Sequence, residues 1–208
     1  CAWTVPAWIA YANAQLLVEP AWLSANLNAK DLRIVDMVGE AEEYQKGHIP
    51  GAVYLNVNDS RISVPAGGFR LPTVEEGARI LGGLGIGPST HVVIYDDSGG
   101  LHASCLFFTL DVFGHPKVSI LNGGIQAWRR AGLRVTQEIP KVNPTAYRPV
   151  LHPERVASAE WLLGHLKDQK FALVDTRTPA EYAGTDLRAK RGGHIPGSLN
   201  LPYGELVG

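Results

Sequence analysis

Cysteine is nearly absent from this chain: Cys1 and Cys105 are the two in 208 residues. So few, so far apart, exclude a disulfide framework and any metal site built on closely spaced thiolates. An excess of either charge is also missing. Nineteen Lys and Arg face twenty Asp and Glu, for a net charge of -1. That removes the electrostatic case for a nucleic-acid partner or an anionic membrane surface. Long apolar runs are lacking too. The most apolar stretch, residues 1–14 (CAWTVPAWIAYANA), is too short for a membrane span and is broken by Pro6.

That first stretch carries no charge and ends in Ala12-Asn13-Ala14, an A-x-A pattern before Gln15. It fits the end of a secretory signal peptide, and a periplasmic or secreted location is expected on that reading. Two other readings stay open. Cys1 could be the lipidated first residue of a lipoprotein, or the segment could be an apolar extension packed on the domain, which leaves a cytoplasmic location. The chain does not begin with Met, so a processed product or a fragment is expected.

The stretch around which the rest is organised is His91 to Leu106. The β-branched run His91–Tyr95 predicts a buried strand. Asp96-Asp97-Ser98-Gly99-Gly100 predicts a loop, and a helical pattern follows from Leu101 to Val112. A strand that turns through a glycine-rich loop into a helix makes a cradle for an anion, because successive backbone N–H groups and the helix N-terminus point inward. No Cys, no Ser–His pair and no Lys stands in that loop as a nucleophile. Cys105, amid Leu106, Phe107 and Phe108, reads as a buried core thiol; a reactive thiol would want an exposed, electropositive setting.

Before this loop the pattern predicts strands at 16–18, 32–37 and 53–57 and helices at 20–27 and 40–44. Gly47-His48-Ile49-Pro50-Gly51 predicts a turn, since Pro50 fixes φ and Gly51 permits a positive one. Residues 63–71, with Pro65, Gly67 and Gly68, read as a loop. Thr73 and Glu76 form a capping box that opens a helix reaching Gly85. After the loop come a strand at 118–121 and a helix through Trp128 that ends near Gly132. Strands alternating with helices predict an α/β domain with a mostly parallel sheet flanked by helices, here residues 16–135. Residues 136–150, with Pro140, Pro144 and Pro149, read as a linker.

Beyond it the pattern restarts: a helix over 160–166 capped by Ser158, a strand over 171–175, a second capping box Thr178–Glu181 with Pro179 at the first helical position, and a strand over 198–202. The two halves share words. IVDMVGEAEEYQKGHIPGAVYLNV recurs as LVDTRTPAEYAGTDLRAKRGGHIPGSLNLPY, so that Asp36 matches Asp175, Tyr44 matches Tyr182 and His48 matches His194. The offset grows from 139 to 146 because the second copy holds seven more residues, rich in Lys and Arg. A pentapeptide repeated in one setting signals duplication. About 80 residues follow the first GHIPG before its domain closes, whereas eleven follow the second. An incomplete second copy, residues 151–208, is therefore expected, with its loop-bearing strand and at least two helices missing.

The paired GHIPG segments, the D-x-R of Asp175 and Arg177, the block FGHPKVSILNGGIQAW (Phe113 to Trp128) and the Pro-rich linker resemble the tandem rhodanese family, the two-domain thiosulfate and 3-mercaptopyruvate sulfurtransferases. The resemblance implies a catalytically silent first domain and an active second one. In an active copy a Cys heads the loop directly after the strand; here Asp96 stands in that place. A carboxylate cannot carry sulfane sulfur as a persulfide, and it is expected to repel an anionic substrate. Cys105 lies nine residues too late to substitute. The resemblance places the family's nucleophilic Cys about 35 to 40 residues past Gly208, by the Gly51-to-Asp96 spacing. Its thiolate would take sulfur from a small anionic donor and pass it to cyanide or a thiol, without metal or organic cofactor.

For this chain the resemblance leaves supporting residues. Asp175 is expected to accept from backbone or Arg under the loop, with Arg177 as its partner or as a substrate-binding cation. Some relatives carry a substrate-binding Arg four residues after the D-x-R; here that position is Glu181, which the capping box explains. Arg188, Lys190 and Arg191 sit where mercaptopyruvate-type relatives hold an anion-binding Arg, and read either as that or as a solvated basic loop. His48 and His194 read as turn-stabilising. A different class of function, a non-catalytic rhodanese-like module that binds a partner, is the alternative.

Overall fold

The computed structural model describes residues 13–65, 68–168 and 170–206. Residues 1–12 of the apolar start, with Cys1 and the first Ala of the A-x-A pattern, lie outside them. The described chain divides into two compact units, the first running to His152 and the second starting at Pro153.

In the first unit a 3-10 turn, Ala14–Leu16, leads into β1 (Leu17–Val18), so the strand read at 16–18 begins one residue late. Then come α1 (Pro20–Asn26), β2 (Leu32–Asp36), α2 (Ala41–Lys46) and β3 (Val53–Tyr54). The strand expected over 53–57 stops at Tyr54, because the Asn56 side chain accepts from the Asn58 N–H (2.9 Å) and caps a short helix α3 (Val57–Ser60). The loop expected over 63–71 is likewise closed at its base by the antiparallel pair β4 (Ile62–Ser63) and β5 (Phe69–Arg70). The Arg61 guanidinium lies 4.2 Å above the Phe69 ring. Next follow α4 (Val74–Gly83), whose Thr73–Glu76 capping box is formed from both sides, β6 (His91–Tyr95), α5 (Leu101–Val112), β7 (Val118–Leu121) and α6 (Gly124–Arg130).

Five strands form one sheet in the order β1-β7-β6-β2-β3, every pair parallel. Alternate residues of a strand point to opposite faces. Val35, Val92 and Ile94 therefore join Leu106, Leu110 and Phe113 of the α5 side, while Ile34, Val93 and Tyr95 join Leu23, Ile125 and Trp128 of α1 and α6. A parallel sheet buried on both faces needs strands that are apolar throughout, as β6 is.

Residues 136–150 hold no helix or strand beyond a single bridge, and they lie against the first unit. His48 and Thr136 exchange two backbone bonds of 2.9 Å. Tyr147 is buried with its hydroxyl 3.1 Å from His115 Nδ1, and Thr145 N–H donates to the Gly82 carbonyl (3.0 Å).

The second unit contains α7 (Ala159–His165), capped by Ser158 Oγ, β8 (Val174–Asp175), α8 (Pro179–Ala183) with its Thr178–Glu181 capping box, and β9 (Leu199–Asn200) parallel to β8. The strands expected over 171–175 and 198–202 shrink to two residues each. A two-stranded sheet gives Phe171 and Leu201 no further neighbour to pair with, so regular pairing stops where the mutual register of β8 and β9 ends. Among the described residues, no helix is long and apolar enough to cross a membrane.

Candidate functional site

The loop between β6 and α5 is a cradle of N–H groups, and it holds its own carboxylate. Asp96 is 1% exposed. Its Oδ1 accepts from the N–H groups of Gly100 (2.8 Å) and Ser98 (3.2 Å), and its Oδ2 from those of His102 (2.8 Å) and Ala103 (3.0 Å). The donors that a helix start leaves without internal partners are thus met by one side chain. Asp96 therefore fills the cradle itself, its side-chain oxygens taking the N–H groups that a bound anion would otherwise meet. Ser98 and His102 do approach each other, with Oγ 3.4 Å from Nδ1. The sequence did not suggest that pair. Four of the N–H groups that an oxyanion would need are thus already committed to Asp96.

The glycines around the loop follow from this crowding. Gly124 begins α6 at φ +56°, and a side-chain carbon there would stand 2.4 Å from the Asp96 carbonyl oxygen. That oxygen instead accepts from Ile125 N–H (3.0 Å), which ties α6 to the head of the loop.

Behind the loop sits a buried polar group that the sequence reading missed. The Tyr95 hydroxyl donates to Asp36 Oδ2 and accepts from the Ile49 N–H (3.1 Å), while Asp36 Oδ1 accepts from the Val38 N–H (2.9 Å). Burial pushes the Asp36 carboxyl up to about 6, against the two hydrogen bonds that favour its charged form. The clue was available: Tyr95 is the one residue with a hydroxyl in a strand predicted to be buried, so its O–H needed a partner. Tyr44 stacks on His48 at 3.8 Å between ring centres and donates to the Ala52 carbonyl (2.9 Å). His48 Nδ1 and Nε2 lie 2.8 and 3.1 Å from the carbonyls of Tyr44 and Glu138. His48 accordingly fastens the turn.

The second unit repeats the local contacts of this turn. Tyr182 stacks on His194 at 3.7 Å, its hydroxyl donates to the Ser198 carbonyl (2.7 Å), and His194 Nδ1 lies 2.9 Å from the Tyr182 carbonyl. Gly51 and Gly197 share the positive φ that the turn requires, +80° and +87°. Asp175 Oδ1 accepts from the Arg177 N–H (3.0 Å), as Asp36 does from Val38. The difference is the guanidinium: Arg177 Nε and Nη2 both donate to Asp175, and Nη2 also to the Gly193 carbonyl (2.9 Å). That bonding lowers the Asp175 carboxyl below its ordinary value.

Of the three arginines expected to meet substrate, Arg177 is therefore engaged with Asp175 in the frame. Arg188 is exposed and reaches Glu181 (3.4 Å) and Asp186 (3.3 Å). Arg191 is exposed on the same insertion. Glu181 serves its capping box, accepting from the Thr178 N–H (3.1 Å). Cys105 is half-buried rather than fully buried, with Sγ 3.5 Å from the Leu101 carbonyl. Burial, with a smaller contribution from Asp96, raises its thiol above the ordinary value despite Arg61, which is the opposite of what activates a nucleophile. Among the described residues, no three His, Cys, Asp or Glu gather as a metal site.

Fold and cradle define a parallel α/β protein in which backbone N–H groups converge on the residue heading one loop, with the supporting turn present twice. The chain belongs to the rhodanese family: the model of the rhodanese-like domain matches residues 19–131 and 158–207. It is 36% identical over 193 residues to a thiosulfate sulfurtransferase from Azotobacter vinelandii, covering 93% of this chain and 71% of that one. It is 32% identical over 170 residues to a human 3-mercaptopyruvate sulfurtransferase, covering 79% of this chain and 57% of that protein. The crystal structure of a 3-mercaptopyruvate sulfotransferase from Escherichia coli superposes with a TM-score of 0.81 at 28% identity, covering 93% of this chain and 77% of the other. These relatives make the chain a sulfurtransferase, an enzyme of the transferase class.

Proposed function

We propose that the protein moves sulfane sulfur from thiosulfate or 3-mercaptopyruvate to cyanide or a thiol through a cysteine persulfide. The observation that carries this is the cradle: four backbone N–H groups converge on the side chain that heads the loop. A thiol in that position would be drawn toward its thiolate, from about 8.5 into the range of roughly 3.5 to 7.5. The thiolate attacks the outer sulfur of thiosulfate, the S–S bond breaks and sulfite leaves. With mercaptopyruvate the C–S bond breaks, the leaving enolate takes up the proton of the donor's thiol, and pyruvate is released. Cyanide then takes the outer sulfur as thiocyanate and returns the thiolate.

In this reading Asp96 silences the first copy, and a Cys heads the matching loop of the second copy, in a segment not among these 208 residues. Arg177, Arg188 and Arg191 are the candidates to meet the donor's charge. Export belongs to the same reading and is supported by the apolar start and its A-x-A pattern.

The test is thiocyanate formation from thiosulfate and cyanide, and pyruvate release from mercaptopyruvate, by the full gene product beside residues 1–208. The full product should turn over and form a persulfide, while residues 1–208 should stay at background. Turnover by residues 1–208 that Cys105→Ser abolishes would overturn the assignment of the nucleophile. An inactive full product would favour the binding-module alternative.

A further inference from the structure

We propose that His115 is a proton-sensitive latch for the strap formed by residues 142–152, holding that strap on the first unit while the imidazole is neutral and loosening it when the imidazole takes a second proton.

The strap holds no helix or strand and is docked by a few single bonds. Near its start Thr145 N–H donates to the Gly82 carbonyl (3.0 Å) and the Thr145 hydroxyl to the Ile86 carbonyl. Near its end the N–H groups of Val150 and His152 donate to the carbonyls of Phe113 (3.3 Å) and Val112 (2.7 Å). Between them Tyr147 enters the core beside Leu81, Val92 and Phe113. The first unit is shaped to receive this segment. Gly82 has no positive φ that would call for glycine, yet a side-chain carbon there would stand 2.5 Å from the Thr145 carbonyl oxygen. One at Gly114 would stand 2.7 Å from His152 Nε2.

His115 faces the middle of the strap. Its Nε2 lies 2.7 Å from the Thr90 carbonyl, which can only accept, so the proton of the neutral ring sits on Nε2. Nδ1 is then a bare acceptor, and the Tyr147 hydroxyl 3.1 Å away donates to it. The neutral imidazole is used completely, one nitrogen giving and the other taking. A proton on Nδ1 would deprive the Tyr147 hydroxyl of its acceptor, at a residue 5% exposed, and would place a cation on a ring 8% exposed.

The surrounding groups agree on the direction. Burial opposes the cation most strongly; the Thr90 carbonyl favours it, and His91 of β6 opposes it. His91 itself lies beside Lys117 and Asp31. From the strap come the Tyr147 hydroxyl and, at its end, His152. The His115 imidazole is therefore held below its ordinary range. A docked strap thus binds fewer protons than a released one. Docking is complete above the ordinary imidazole value and weakens as pH falls below it. Release would add residues 142–152, up to roughly 35 to 40 Å of extended chain, to the tether ahead of the second unit.

Hydrogen exchange of the native chain tests this without any enzymatic readout, so its outcome is separate from that of the sulfur-transfer assay. Protection, taken relative to each amide's intrinsic rate at the same pH, is followed at Thr145 and His152 in the strap and at Val93 in β6. Between about pH 8 and about pH 5 it should fall at Thr145 and His152 and hold at Val93. His115→Asn, which keeps an acceptor for Tyr147 but cannot titrate, should flatten that fall. Tyr147→Phe should lower strap protection about fivefold at the upper pH, the worth of one hydrogen bond near 1 kcal/mol. Ring NMR of the native chain needs no variant: His115 should carry its proton on Nε2 in base and titrate below about 6.5. An ordinary or raised His115 value would overturn the latch. So would a fall in protection that His115→Asn keeps, which would move the sensor to His91 or His152. Equal losses at Thr145 and Val93 would overturn a release confined to the strap.

Discussion

Two turns of identical sequence stand in two different surroundings. Ile49 in the first GHIPG is 0% exposed, and Ile195 in the second is 43% exposed. The local contacts are nevertheless the same in both: the Tyr–His stack, the tyrosine hydroxyl on the carbonyl that follows the turn, and the positive φ of the last glycine. The turn is therefore written locally and does not need a completed core to form. The core around it is what differs. In the first unit Ile49 packs with Tyr95, Ile125 and Trp128, which come from β6 and α6. The second unit has no counterpart of those elements among its described residues.

The sharpest way to break this comparison is to truncate both isoleucines. Ile49→Ala empties a packed site and should cost about 2 to 5 kcal/mol. Ile195→Ala, half in solvent, should cost under about 1 kcal/mol. Chemical denaturation of the two variants gives both numbers. Equal costs would mean that the second turn is packed as tightly as the first.

Next in size is the carboxylate in the cradle. Asp96→Ala strands four N–H groups at the start of α5 and should lower stability by about 2 to 4 kcal/mol. Hydrogen exchange should quicken first at Gly100, His102 and Ala103. Asp96→Asn, which keeps an acceptor, should lose less. A neutral Asp96→Ala would remove the argument that the cradle is built around an anion.

The matching aspartates sharpen the comparison through pH. Burial raises the Asp36 carboxyl to about 6, so between about 4 and 6 the folded state holds a proton that the unfolded state has released. The contribution of Asp36 is thus complete below about pH 4 and is lost as pH rises through 6, by about 2 to 3 kcal/mol. Asp36→Asn removes this slope and should gain on the native protein between pH 4 and 7 in urea denaturation. Asp175 has the opposite sign. Arg177 lowers its carboxyl, so its contribution is present above the ordinary carboxylate value and fades as pH falls. Asp175→Asn should therefore lose its difference from the native protein in acid. Identical pH slopes for the two variants would show that the environments do not differ as described.

What was legible beforehand divides along the same line between local and assembled features. The capping boxes, the GHIPG turns and the strand–loop–helix around Asp96 could be read because each rests on residues a few positions apart. Val53–Val57 alternates like a strand, but the Asn56 side chain competes for the backbone and opens a helix, and periodicity does not register that competition. The short pair β4–β5 was hidden by prolines and glycines that describe its loop rather than its base. Asp96 was visible as the residue heading the loop. That its carboxylate turns inward to four N–H groups depends on how the loop closes. The partnership of Tyr95 with Asp36 and Ile49 joins three strands or turns far apart in sequence, and no spacing rule reaches it. Arg177 lies beside Asp175 as the D-x-R pattern implied, since a single residue, Thr176, separates them.

The smallest effect tests whether caps follow the turns or the core. Thr73 and Thr178 form the same reciprocal box with Glu76 and Glu181. Each hydroxyl accepts an N–H at 3.2 Å. The helices they open differ: α4 has ten residues and buries Leu81, while α8 has five and buries none. A cap acts on orphan N–H groups of the first turn, which exist in both helices regardless of what covers them. Thr73→Ala and Thr178→Ala should therefore each cost about 1 kcal/mol of local stability. The readouts should diverge. Loss of the Thr73 cap should appear in global unfolding, because α4 is packed into the core. Loss of the Thr178 cap should appear as faster exchange confined to Tyr182 and Gly184, because a short helix without buried side chains can fray alone. Global destabilisation by Thr178→Ala equal to that by Thr73→Ala would mean that α8 is held by packing that its lack of a fully buried side chain does not reveal.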